Sequence, residues 1–329
     1  MNTVNKTGII SLFSGGGGLD LGFQRAGFNL LWANEYDKTI WATHKLNFPL
    51  TELNQNSIAN IDEHIIPECI GMIGGPPCQS FSEAGAKKGT ADPRGQLFWD
   101  YIRVLVAKKP LFFVAENVSG LLSERHKHEL EAFLTAFDAA GYNVDAHLYK
   151  ASDYGVPQDR ERLIFVGYRK DLNKTFTRPS MSPRVLLKDT LKDMPEPLAT
   201  KNGQTNIHAD LPNHEYMTGG FSSMFLSRNR VRSWDETSFT ILATARQTPL
   251  HPQAPKMVKI GTDMFSFVEG QEHLYRRLSV RECARIQTFP DNYIFLYDKI
   301  ETGYKMVGNA VPVELARQIA TSIKNDLGL

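Results

Sequence analysis

Over the first 170 residues, short apolar runs alternate with stretches whose apolar positions recur three and four apart. "GIISLFS" (8–14), "NLLWANE" (29–35), "CIGMIGG" (69–75) and "LFFVAEN" (111–117) read as buried strands, and "NVDAHLYK" (143–150) and "RLIFVGYR" (162–169) as two more. Between them, "LDLGFQRAGF" (19–28), "LFWDYIRVLVAKKP" (97–110) and "HELEAFLTAFDAAGY" (128–142) carry helical spacing and stop at glycine or proline. A less regular strand or loop is predicted at 50–58. Strands alternating with helices imply an α/β fold, a mostly parallel sheet covered on both faces. From 171 to 225 prolines, asparagines and threonines take over and helical periodicity fades, which predicts a separate, loop-rich unit over 171–275. Order returns at "RRLSVRECARIQTFPD" (276–291), and a last helix is predicted from about Pro312, with Gly328 near its end. The expected organisation is one unit over 1–170, a second over 171–275, and a return segment, 276–329, completing the first.

A length of 329 residues accommodates a large and a smaller unit. The net charge of +1 does not announce a polyanionic partner, so contact with nucleic acid has to be sought in local clusters. Three cysteines, Cys69, Cys78 and Cys283, without a CxxC pair, suggest neither a disulfide framework nor a thiolate zinc site. His126 and His128 are two apart, the wrong spacing for two ligands on one helical face, and read as a solvated helix start. No metal is expected. The start "MNTVNKTG" is polar and no run approaches 18 apolar residues, so the expectation is a reduced, cytoplasmic protein without membrane contact.

The loop "FSGGGGLDLG" (13–22) joins the first strand to a helix, where an open α/β sheet binds nucleotide-like ligands. It is not a dinucleotide fingerprint. GxGxxG from Gly15 requires glycine where Asp20 stands, and from Gly16 where Leu21 stands, which also removes the nicotinamide dehydrogenases. Asp20 would repel phosphate and suit an amino group, while Glu35, twenty residues after Gly15, can accept bonds from ribose hydroxyls. S-adenosyl-L-methionine has that chemistry: ribose, a cationic sulfonium and an ammonium group, and no phosphate.

Cys78 and Glu116 each follow an apolar strand at its carboxyl end, and such ends line one crevice. The prolines Pro76 and Pro77 fix φ ahead of Cys78 and narrow the directions it can take. From these residues alone Cys78 is either an aimed nucleophile or a packing cysteine. "QDRER" (158–162) puts Arg160 and Arg162 on one face of an extended chain, to bind a substrate carbonyl or to edge a strand in solvent.

"FSGGGGLDLGF", "GGPPCQSFSEAG", "AENV", "QDRERLIFVG", "RRLSVRECARIQTFPD" and "GYKMVGNAVPVELA" resemble, in order and spacing, the motifs of the DNA (cytosine-5)-methyltransferases, across residues 9 to about 320. "NEYDK", "NHEY", "SRNRVR" and "HPQAP" are similar to bacterial members that recognise GGCC within restriction-modification systems. The resemblance implies a class I S-adenosylmethionine-dependent methyltransferase, with a Rossmann-like sheet over 1–170 and a target-recognition domain over 171–275. It also implies base flipping, with Cys78 attacking C6 of the extruded cytosine. Glu116 would contact N3 and the exocyclic amine, and Arg162, with Arg160 behind it, would hold O2. For the cofactor it implies Phe13 on adenine, Gly15 and Gly17 at the amino-acid end, Glu35 on the ribose, and Leu19, Pro77, Leu97 and Asn309 lining the pocket. Ser57 stands where the family has an aspartate for the adenine amine.

The loop from Ser80 to Gln96 carries Lys87, Lys88 and Arg94 and is expected to close over bound double-stranded DNA. "SRNRVRSW" (227–234) sets Arg228, Arg230 and Arg232 at alternate positions, one face of a strand, with Arg246 in the next segment. Arginine bidentate to guanine is the commonest specific base contact, so Arg228, Arg230 and Arg246 are expected to read bases and Arg232 to meet the backbone. An RNA-methylating relative is the nearest rival, and the long 171–275 segment speaks for DNA. A monomer is expected, paired in function but not by direct binding with a restriction endonuclease.

Overall fold

The computed structural model describes residues 7–77, 93–205 and 210–329; the side chains of 93–95 lie outside that description. Its centre is a seven-stranded sheet in the order β3-β2-β1-β4-β5-β8-β6. The strands are β1 (Gly8–Leu12), β2 (Asn29–Asn34), β3 (Glu52–Asn54), β4 (Gly71–Gly74), β5 (Phe112–Val118), β6 (Tyr142–Lys150) and β8 (Glu161–Arg169). A two-residue β7 (Gln158–Asp159) precedes β8. Pairing is parallel from β3 through β5, whereas β8 runs antiparallel to both β5 and β6. The inner strands β1 and β4 are buried on both faces, which is why they read as unbroken apolar runs. Strand order reverses between β1 and β4, so their carboxyl ends open a crevice there.

Helices cover both faces. α1 (Gly18–Arg25) and the C-terminal α8 (Val313–Leu327) pack on one side, so close that a Cβ on Gly22 would sit 2.4 Å from the Ala316 Cβ. On the other side α3 (Pro93–Lys108) and α4 (Lys127–Ala139) stack Phe98, Phe133 and Phe137 over Phe113 of the sheet. Several helices were not predicted, and two illustrate why. α2 (Trp41–Asn47) buries only Thr43 and His44 and so has no apolar stripe. α7 (Ile300–Asn309) is interrupted by Gly303 and Gly308, which press against the Tyr297 ring and the Leu242–Ala243 backbone. His126 is buried rather than solvated.

Residues 171–275 contribute α5 (Leu187–Leu191) and short strands: β9 (Leu198–Thr200) with β10 (Glu215–Met217), β11 (Ser238–Phe239) with β7, and β12 (Val258–Gly261) with β13 (Met264–Ser266). Phe225, Val231, Leu250, Ala254, Met257 and Tyr275 form a small core of their own. Leu187, Leu191, Ile241 and Ala245 instead join the large core beside α6 (Val280–Ile286) and α7. Among the described residues no helix is long and apolar enough to cross a membrane.

Candidate active site

A cavity of about 420 Å³ occupies the crevice at the carboxyl ends of β1, β2, β4 and β5. The β1–α1 turn forms one wall. Phe13 takes φ +56°, a strained value for a bulky side chain, held by a bond from the Ser14 amide to the Asn34 carbonyl. Gly15 follows at φ +55° and its N–H donates to Glu35 Oε2 at 2.9 Å. Glu35 Oε1 accepts from the Asp37 amide at 2.7 Å. Desolvation nonetheless dominates and pushes the Glu35 carboxyl above its ordinary value, against those two N–H bonds. Burial also raises Asp37, but Lys305 of α7 and Thr39 outweigh it, so that carboxyl ends below the usual range. The Asp37–Lys305 pair ties α7 across the cavity mouth.

The opposite wall is the Glu116–Arg162 pair. Antiparallel register sets Arg162 of β8 across from Val118 of β5, and Arg162 Nε reaches Glu116 Oε1 at 2.7 Å. A Cβ on Gly75 would lie 3.2 Å from Glu116 Oε2, a tight contact, so glycine gives the β4 end a close approach to the carboxylate. Pro76 and Pro77 complete this side. Cys78, Lys87, Lys88 and Arg94 fall outside the described residues or side chains.

Phe13, Gly15, Leu19, Glu35, Pro77, Glu116, Arg162 and Asn309 therefore line one cavity. Four expectations are corrected. Gly17 points away from the cavity: at φ +75° its Cβ position lies 2.3 Å from Tyr293 Oη and 2.7 Å from Phe48. Ser57 stands ahead of a short 3₁₀ turn without a side-chain cap bond, and Leu97 packs against the apolar layer that also holds Phe13; neither is among the described residues that line the cavity. Arg160 is 1% exposed and donates to the carbonyls of Ile241 (3.0 Å) and Gly308 (2.9 Å), so it has no access to a substrate. Burial lowers it to about 9.

Three buried polar atoms on the cavity side have no hydrogen-bond partner among the described residues: Ser14 Oγ, Asp20 Oδ2 and Asn117 Nδ2. Asp20 Oδ1 accepts from Ser11 Oγ at 2.5 Å, and His44 Nε2 stands 3.4 Å from Oδ2. Among the described residues the cations at the wall, Arg162 and Lys305, are already paired with carboxylates. An acidic cavity with spare acceptors suits hydroxyls and an ammonium group and disfavours phosphate. Asn117 was missed although it lies inside the quoted "AENV"; His44 and Lys305 had no sequence signal.

Of the recognition arginines, Arg228 and Arg246 are exposed and have no partner among the described residues. Arg230 is buried. It donates to the carbonyls of Phe225 and Met224 and to Gln247 Oε1, and its guanidinium lies 4.7 Å over the Phe225 ring. Arg232 bridges Asp159 and Glu236 over the Phe239 ring. The segment is not a regular strand, so the alternate spacing does not make one face; base reading by Arg230 and a backbone role for Arg232 are not supported by this geometry.

The family model for C-5 cytosine-specific DNA methylases matches residues 7–325. The chain belongs to that family. Relatives span its whole length. Type II methyltransferase M.NgoPII of Neisseria gonorrhoeae is 53% identical over 99% of this chain and 97% of its own. Type II methyltransferase M.FnuDI of Fusobacterium nucleatum is 52% identical over 97% and 94%. Among solved structures, a candidate DNA modification methyltransferase encoded within an Escherichia coli prophage superposes with TM-score 0.77 at 26% identity, covering 98% of this chain and all of that one. The protein is thus a DNA (cytosine-5)-methyltransferase on a class I methyltransferase fold.

Proposed function

We propose that this methyltransferase uses S-adenosyl-L-methionine to methylate C5 of a cytosine turned out of double-stranded GGCC sites. It would act as a cytoplasmic monomer that protects DNA from a partner restriction enzyme. The observation that carries the reading is the Glu116–Arg162 pair facing the glycine turn and Glu35 across one cavity. Glu35 would accept from the ribose hydroxyls, Phe13 would cover the adenine, and Asp20, Ser14 and Gly15 would meet the amino-acid end. When bound, the cofactor supplies an electrophilic methyl carbon on a cationic sulfur.

The residues of this chain prepare the base for it. C5 of cytosine is a weak nucleophile. Addition of the Cys78 thiolate to C6 pushes an electron pair toward N3, where Glu116 delivers a proton, and leaves C5 as the nucleophilic end of an enamine. Arg162, already in place beside Glu116, would bond O2 and hold the ring. After methylation, loss of the C5 proton to water expels the Cys78 thiolate, and N3 gives its proton back to Glu116, which restores the aromatic base. Residues 171–275 would read the site, with Arg228 and Arg246 as the free guanidiniums for guanine edges.

Methylation of a random-sequence DNA library followed by bisulfite sequencing tests the whole reading. Protected cytosines should appear in GGCC and in no other four-base context. Protection in another context overturns the specificity, and no protection in any context overturns the chemistry.

A further inference from the structure

Arg160, displaced from the substrate role, belongs to a buried polar cluster that joins the two functional surfaces. Both main-chain groups of Ile241 are gripped: its N–H donates to Gln158 Oε1 at 2.7 Å, and its carbonyl accepts from Arg160 Nη1 at 3.0 Å. The other ends of the same side chains reach the cofactor wall. Arg160 Nη2 bonds the Gly308 carbonyl at 2.9 Å. Gln158 Nε2 bonds Gln287 Oε1 at 2.8 Å, and Gln287 Nε2 bonds the carbonyls of Val307 and Ala310 at 2.8 and 3.0 Å. Gln158, Ile241 and Gln287 are wholly buried.

Each end of this cluster leads to a surface that binds something. Ile241 runs into the Ala245–Gln247 turn, which carries Arg246, and Gln247 there accepts from Arg230. Gly308 abuts the Leu242–Ala243 backbone, where any Cβ would clash at 2.3 Å, and its neighbours Met306, Asn309 and Ala310 line the cofactor cavity. Two residues beyond Arg160, just inside β8, stands Arg162, paired with Glu116. A shift of the 241–247 segment would strain the same buried donors and acceptors that hold the 307–310 wall, and these are costly to leave unpaired.

We propose that Gln158, Arg160 and Gln287 are positioning residues that couple occupancy of the DNA-reading segment to affinity for the methyl donor. The inference rests on the reading of cavity and recognition segment given above. The coupling must be reciprocal: DNA tightens cofactor binding by the factor by which cofactor tightens DNA binding.

The test is calorimetric titration of S-adenosylhomocysteine into the full enzyme, free and saturated with an unmethylated GGCC duplex, for wild type, Gln158→Met and Arg160→Lys. Lysine can reach only one of the two carbonyls and is the milder variant, should the methionine variant fold poorly. Wild type should bind the probe on the order of 10-fold more tightly with DNA. The variants should bring that ratio to within about 2-fold of unity. A merely structural role would lower folded fraction but leave the ratio intact. An unchanged ratio in both variants, or no DNA effect in wild type, overturns the coupling and leaves the cofactor reading standing. Failure of wild type to bind the probe at all removes the cofactor reading and the coupling together.

Discussion

Two of the three thiols are sealed into the core. Cys69 and Cys283 are buried, and burial pushes Cys69 up to about 12 and Cys283 well above the usual thiol range. The thiolate is the reactive form, so neither presents one near neutral pH. Iodoacetamide at pH 8 should therefore add one group per native chain, at Cys78, with activity lost in step; peptide mapping by mass spectrometry reads both. Label on Cys69 or Cys283 before unfolding would contradict their burial. Full activity with Cys78 blocked would contradict its place in the chemistry. The arginines show where reading side chains from sequence stops. Arg228 and Arg230 are two apart in one segment, yet one has no partner among the described residues and the other is used up on the Phe225 and Met224 carbonyls. Charge type was visible in the chain, but which carbonyls lie within reach was not.

The β1–α1 turn separates two tasks that a run of four glycines leaves indistinguishable. Gly17→Ala places a Cβ 2.3 Å from Tyr293 Oη, which itself donates to the Gly16 carbonyl, and forces φ +75° on an L residue. It should cost about 2–4 kcal/mol in urea unfolding, the range of overpacking combined with a left-handed backbone. At Gly15 the nearest atom to such a Cβ is the Phe13 carbonyl oxygen at 3.8 Å. Gly15→Ala should cost only about 1 kcal/mol of stability and weaken cofactor binding instead, read by titration of S-adenosylhomocysteine. Equal stability losses at the two positions would reject this division. The six strands with apolar runs and the three long helices were legible because each carries its period in its own residues. α2 and α7 were not, since their burial comes from contacts distant in sequence: His44 beneath Asp20, and Gly308 against Leu242. The reversal of β8 was equally hidden, because burial on both faces looks the same in a parallel or an antiparallel strand. That reversal sets Arg162 beside Glu116, so the decisive pair of the site came from topology rather than spacing.

The return segment does more than close the sheet, since in "RRLSVREC" a buried Arg276–Glu282 pair packs against His251 of the 171–275 segment, whose N–H donates to the Arg276 carbonyl. Glu282 caps α6 with Ser279, takes both guanidinium nitrogens of Arg276 at 2.8 Å, and stands 3.5 Å from His251 Nε2. The charged or titratable groups around His251 are Glu282, Arg276 and His214. Desolvation dominates, with Arg276 adding to it and Glu282 opposing, and His251 falls to about 4. A histidine depressed in the folded state binds fewer protons there than when unfolded, so its stabilising effect is complete above its free value near 6.5. That effect is lost as pH falls toward the folded value. Between pH 6.5 and 4 this group should remove up to about 3 kcal/mol of stability. Glu282, itself lowered despite burial because Arg276 holds its charge, adds a further loss of the same sign only below its ordinary 4.5. Urea midpoints measured from pH 7.5 to 4.5 should therefore fall for wild type and fall less for His251→Gln, which cannot take up the proton. Because His251 adjoins Leu250, which bridges Val231 to Arg277, the acid-weakened contact lies where the recognition segment meets the return segment. Loss of site discrimination should therefore precede loss of the sheet as pH drops. Parallel pH curves for the two proteins would show that the acid transition begins elsewhere.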